Sequence, residues 1–200
     1  MARDAPRAVV RELARWDLEA LTLLDGRLGG PDGCRQKGFD AESASPVFVD
    51  LETTGLSGGA GTVAFLVGCG RFEGGAFRTR QFFLQGFGAE RALLHAVGEL
   101  LEGAPLIVTY NGRTFDLPVL ETRWLFHRLP PALTALPHLD MLPPARRLWR
   151  GVGEGADEGC RLVALEARLW GVRRDGDVPA FEIPRRYFAY VRRGDASGLP

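Results

Sequence analysis

The sequence predicts an α/β domain built on one mixed β-sheet of about five strands flanked by helices. Three observations carry this. Three strand-like segments follow one another between residues 46 and 84, separated only by turns. Helix-period and strand-period segments then alternate. Gly and Pro fall where each element has to stop. A meander that leads into alternation places antiparallel and parallel strands in a single sheet.

The elements follow in order. Val9, Val10, Leu13, Trp16, Leu21 and Leu24 recur near a 3.6-residue period, so residues 6–24 read as an amphipathic helix. Gly26, Gly29, Gly30, Pro31, Gly33 and Gly38 then mark a linker, which makes 1–45 a helical arm preceding a domain at 46–200. Val47–Leu51 is a short apolar run that suits a buried strand. Thr62–Arg71 and Phe77–Leu84 read as a hairpin about the turn at 73–76. Residues 89–102 are helical by period, with Gly103 as the stop. A strand at 106–110, a helix at 116–128 closed by Pro130-Pro131, a strand at 138–142 and a helical turn at 145–150 come next. The Gly-rich loop 151–159 leads to helices at 161–170 and 184–193.

Composition narrows the class. Twenty-five basic and 25 acidic residues cancel, which excludes a globally basic nucleic-acid binder but not a local basic groove. No run of 18 apolar residues exists, so no membrane-spanning helix is expected. Charges scattered through the N-terminus do not suit a signal peptide. The three cysteines are far apart and form no CxxC pair, which argues against a disulfide scaffold or zinc knuckle and for a cytoplasmic location. Lys37 is the sole lysine, so arginine supplies the rest of the basic charge.

Two segments carry candidate chemistry. In VDLETTGL (49–56), Asp50 and Glu52 share one face of a strand while Val49 and Leu51 take the other. Two carboxylates side by side repel unless a cation lies between them, and oxygen-only ligands favour Mg²⁺ or Mn²⁺. In TYNGRTFDLPVL (109–120), a strand ends, Asn111-Gly112 turns, and Asp116 opens a helix just ahead of Pro118. Asp116 suits a helix cap, since Asp is a good N-cap. It also suits a third carboxylate, because loops at the carboxyl ends of parallel strands share one crevice.

Together these segments resemble the first two motifs of the DEDD 3′–5′ exonucleases: DLETTGL, and the N-x-x-x-F-D of Asn111–Asp116. The stretches TGLSGGAGTVAFLVGCG, HLDMLPPARRLWR, CRLVALEARLWGV and DVPAFEIPRRYFAYVRRGD look like the YprB-type branch of the ribonuclease-H-like exonucleases. The resemblance spans roughly 46–200. It implies a ribonuclease-H-like sheet, two bound Mg²⁺ or Mn²⁺ ions, and hydrolysis of DNA or RNA from the 3′ end. It makes Asp50 the ligand bridging both ions, with Glu52 and Asp116 each holding one. Thr53, Asn111 and Phe115, inside the same motifs, become candidate substrate contacts.

The third family motif, a His or Tyr a few residues before a fourth carboxylate, is not found in these 200 residues. Tyr190 with Asp195 is a poor substitute, because Asp195 falls in a Gly-flanked loop. Asp140 reads as a cap for the helix near Pro143. His95 reads as packed in its helix, and His127 as a helix C-terminal residue. The late arginine pairs could line a phosphate groove, with Phe181, Tyr187, Phe188 and Tyr190 packed or stacking. SGGAG (57–61) reads as a turn. The alternative to an enzyme is a catalytically silent nucleic-acid-binding or protein-interaction module of the same fold, docking a partner through the arm.

Overall fold

The computed structural model describes residues 45–55, 61–73, 76–130, 133, 136–151, 159–174 and 176–197. The expected arm, most of SGGAG and most of the 151–159 loop lie outside them. The described residues form one five-stranded sheet in the order β3-β2-β1-β4-β5. Its strands are β1 (Val47–Thr53), β2 (Ala64–Glu73), β3 (Ala76–Phe83), β4 (Ile107–Thr109) and β5 (His138–Asp140). β1, β2 and β3 are antiparallel neighbours, whereas β1, β4 and β5 run parallel. The meander is followed by alternation, as the sequence predicts.

The helices are α1 (Glu90–Leu101), α2 (Asp116–Phe126), α3 (Leu142–Trp149), α4 (Leu162–Trp170) and α5 (Ile183–Arg193). Gly103 takes a left-handed φ of 74° just past α1 and serves as the expected stop. α3 starts earlier than expected, and β5 is correspondingly shorter. Pro143 and Pro144 sit in the first turn, where a missing N–H costs no intrahelical bond.

The core follows from alternation along β1. Val47, Val49 and Leu51 are buried, Phe48 and Asp50 are exposed, and Glu52 is half-buried. The buried face packs with Phe65 and Val67 of β2, Leu94, Val97 and Leu101 of α1, and Leu120 and Trp124 of α2. A smaller cluster of Leu106, Val108 and Leu139 forms beside it, with Met141 packed on it. α5 joins the main core through Tyr187, whose ring stacks on Phe65 at 4.1 Å. No helix among the described residues is long and apolar enough to cross a membrane.

Candidate active site

The parallel strands decide where the carboxylates meet. β1 pairs with β4 in the register Val47↔Ile107 and Phe48↔Val108, and β4 pairs with β5 through Thr109↔Asp140. Asp50 and Glu52, the loop that follows Thr109, and Asp140 therefore emerge at one end of the sheet. The chain runs outward from β1 to β3 on one side and from β4 to β5 on the other. The crevice between β1 and β4 is thus a topological switch point, the usual ligand position in an open α/β sheet.

Asp50 and Glu52 stand on the same face of β1, opposite Gly68 and Leu66 of β2. They line a groove of about 210 Å³ together with Gln81 of β3, Asp177 from the segment between α4 and α5, and Arg186 of α5. The groove is acidic and only partly compensated. Burial raises the Asp50 carboxyl above its ordinary range, against lowering by the Leu51 backbone and the charge of Arg174. Burial, then the charges of Asp50 and Asp177, push Glu52 up to about 7.

Asp116 reaches the same field from the far end of the loop that follows β4. It is 7% exposed and is the first residue of α2. The cap reading does not hold, because Phe115 is the N-cap and no side chain closes the helix start. Burial, then the charges of Asp50, Asp140 and Glu52, push its carboxyl up to about 7. The three acids singled out in the sequence thus feel one another's charge. Among the described residues no three His, Cys, Asp or Glu side chains are already gathered as a metal-ligand cluster. The donor set nevertheless fits hard divalent cations: all oxygen, anionic, and destabilised by its own repulsion.

The loop carrying the second motif is tightly turned. Asn111 is exposed and adopts a left-handed φ of 69°. At Gly112 a Cβ would lie 2.6 Å from the Thr109 side chain, so only glycine fits. The Thr114 hydroxyl donates to the Asn111 carbonyl at 3.3 Å and lies 3.2 Å from Asn111 Oδ1, and the Leu117 N–H donates to the Gly112 carbonyl at 2.9 Å. Phe115 is half-buried against the core. Thr53 is buried and donates its hydroxyl to the Gly55 carbonyl at 2.8 Å, which shapes the turn after the first motif.

Some residues were missed or misread in the sequence. Asp140 does hold the Leu142 N–H of α3 at 2.9 Å, but it also accepts the N–H groups of Asn111 at 2.8 Å and Arg113 at 3.0 Å. The readable signal was an acid closing the short strand segment HLD. Asp177 and Gln81 face the groove with no local sequence signal. Arg174 forms a two-pronged pair with Glu166, both bonds at 2.8 Å. His95 is exposed rather than packed, 3.6 Å from Glu99. Asp195 lies beyond the end of α5 and accepts from Ser197, with its carboxyl held low by those bonds.

Comparison with known proteins agrees with this architecture. The chain is 33% identical over 177 residues to YprB of Bacillus subtilis (strain 168), a protein described as uncharacterized. That match covers 88% of this chain and 41% of the relative, so the chain spans well under half of that protein. Among solved structures it superposes on the zinc-ion form of E. coli exonuclease I bound to single-stranded DNA, with a TM-score of 0.55 and 15% identity over 76% of this chain and 41% of that one. It also superposes on the family B DNA polymerase of Pyrobaculum calidifontis, with a TM-score of 0.59 and 12% identity over 77% of this chain and 21% of that one. At these identities the likeness is one of fold. A family model of the RNase_H superfamily, RNase_H_2, matches residues 47–199, which include all five strands and every carboxylate of the crevice. By that match the chain belongs to the RNase_H superfamily, and its mixed sheet is the ribonuclease-H-like sheet that the motifs implied.

Proposed function

We propose that this chain carries the active-site face of a 3′–5′ exonuclease that depends on Mg²⁺ or Mn²⁺ and hydrolyses DNA or RNA. One observation carries the reading. Asp50 and Glu52 of β1 and Asp116 at the start of α2 are all raised toward protonation, Asp50 by burial, Glu52 by burial and the charge of Asp50, and Asp116 by burial and the charges of Asp50, Asp140 and Glu52. A cation that accepts all three relieves that cost. The single-stranded DNA in the exonuclease I structure supports the substrate class, and its zinc ion supports a divalent metal.

In this reading Asp50, Glu52 and Asp116 would hold the divalent ions. Bound ions of this kind supply a nucleophilic water at neutral pH and stabilise the leaving 3′-oxygen. The chain's own residues do the rest. The tight turn at Asn111-Gly112 delivers Asp116 to the crevice. Asn111, exposed in that turn, would meet a nucleotide. Thr53 holds the turn after β1, and Phe115 leaves part of its ring outside the core. Gln81 and Arg186 line the groove together with Asp50 and Glu52.

The test uses 5′-labelled single-stranded DNA and RNA with Mn²⁺ or Mg²⁺, and Asp50→Asn as the control. The expected result is a ladder that shortens from the 3′ end. In the variant it slows by roughly 10²- to 10³-fold, the scale of losing one group that stabilises developing charge. Internal cuts, or shortening from the 5′ end, would refute the polarity. Binding without cleavage, unchanged in Asp50→Asn, would identify a binding module of the same fold.

A further inference from the structure

We infer that Asp140 is a positioning residue, a buried strut that fixes the Asn111–Asp116 loop and thereby sets Asp116 against Asp50 and Glu52. The inference rests on the reading of those three acids as a cation site, and it adds a residue that the first two motifs do not contain. Asp140 ends β5 and is 3% exposed. Its Oδ1 accepts the N–H groups of Asn111 at 2.8 Å and Leu142 at 2.9 Å, and its Oδ2 accepts the N–H of Arg113 at 3.0 Å. One carboxylate thus ties the loop after β4 to the start of α3.

Three features make the tie directional. A non-glycine residue with φ of 69°, such as Asn111, is strained and persists only where its surroundings hold it. The N–H groups of the strained residue and of Arg113 are two of the three bonded to Asp140. The end of β4 is itself fixed, since the Met141 N–H donates to the Thr109 carbonyl at 2.9 Å and His138 Nε2 lies 2.9 Å from Thr109 Oγ1. Only two residues separate Arg113 from Asp116, so the anchored turn leaves the carboxylate little freedom. With both its oxygens engaged by backbone N–H groups, Asp140 serves as a strut rather than as a ligand.

The experiment is Asp140→Asn. It replaces one acceptor oxygen with an NH₂ group and so deprives at least one of the three N–H groups of its partner. Two readouts are taken on the variant and the wild type: hydrogen exchange across residues 110–117, and the Mn²⁺ concentration at half-maximal thermal stabilisation. Faster exchange is expected in 110–117, with α1 and the rest of α2 unchanged. The Mn²⁺ requirement is expected to rise about 10- to 100-fold, as when a residue that orients a metal ligand is lost. A purely structural role would lower the melting temperature without moving the Mn²⁺ midpoint. Unchanged exchange, or a loosened loop with an unchanged midpoint, overturns the inference and leaves the metal site standing. A wild type with no Mn²⁺ response, whose loop still loosens on substitution, overturns the metal site and leaves Asp140's hold on the loop. Should Asp140→Asn fail to fold, Asp140→Glu keeps both oxygens and carries the same comparison.

Discussion

The chain partly or wholly desolvates carboxylates in two places and treats them in opposite ways. Between α1 and α2, Glu90 is 4% exposed and fully answered: Arg123 donates twice at 2.6 Å, and His127 Nε2 lies at 2.8 Å. Burial alone would raise its pKa, but Arg123 and His127 hold it below the ordinary range. At the crevice, Asp50 is lowered only in part, by the Leu51 backbone and the charge of Arg174, and Asp50, Glu52 and Asp116 are all pushed upward. Both clusters cost desolvation, and only one recovers it within the chain. The first is a rivet between helices. The second is left with repulsion that an external cation can relieve, which is the physical sense in which it is a site.

Removing a partner from the rivet should have the larger effect on stability. Arg123→Met leaves the buried Glu90 with only His127 beside it, and breaking such a buried pair costs about 3–5 kcal/mol. Chemical denaturation should show a loss of this size, while any folded fraction keeps its Mn²⁺-dependent stabilisation. A comparable loss from Asp50→Asn would break the comparison, because that change removes repulsion and should leave metal-free stability level or improved.

The next effect is smaller and depends on pH. Glu52 and Asp116 bind protons more tightly when folded, so their ionisation opposes folding. The chain should lose stability as pH rises from about 4 through 7 in chelator and level off about one unit above that, by about 2 kcal/mol once solvent screening of the half-buried site discounts the full shifts. Glu90 acts with the opposite sign, since its contribution is present above its unfolded pKa and lost only as pH falls through the lower folded value. Melting at pH 5.5 and pH 8 therefore avoids the range in which Glu90 titrates, and the same pair of melts on Glu52→Gln isolates the crevice from the histidines. Adding Mn²⁺ at 100 times its Kd should recover about 2.7 kcal/mol at pH 8. A melting temperature that is flat across this range, with no Mn²⁺ response, would mean that the acids do not interact.

What was legible in the sequence follows the same division. Asp50 and Glu52 could be paired because strand alternation is a local rule, and Val49 and Leu51 between them supply the buried face. Sheet order came from the resemblance; the residues alone indicated the hairpin at 62–84 and a crevice shared by loops at the carboxyl ends of parallel strands, but not the order of the remaining strands. Asp140 looked like a helix cap because its bond to Leu142 is local. Its bonds to Asn111 and Arg113 span 29 and 27 residues, which no local pattern reports. Asp177 faces the groove only because the chain returns there between α4 and α5. The helical turn expected at 145–150 is the later part of α3, whose first turn also takes in Pro143 and Pro144.

The smallest effect concerns Tyr187, a buried polar group near the rivet. Its ring has no exposed surface, stacks on Phe65 with 6° between planes, and meets the edges of Phe83 and Phe87 at 6.0 and 6.1 Å. Its hydroxyl is buried with no hydrogen-bond partner among the described residues. Burial, then the charge of Glu90, push that hydroxyl up to about 12, so it feels the rivet's carboxylate. Both Glu90 oxygens are already engaged by Arg123 and His127. Deleting a hydrogen-bonded tyrosine hydroxyl usually costs about 1 kcal/mol. Tyr187→Phe keeps the stack and removes only an unanswered dipole, so stability should stay level or rise by up to about 1 kcal/mol. A loss of 1 kcal/mol or more would mean that the hydroxyl has a partner in solution. Glu90 would be the first candidate, and the rivet would then be less closed than the comparison with the crevice requires.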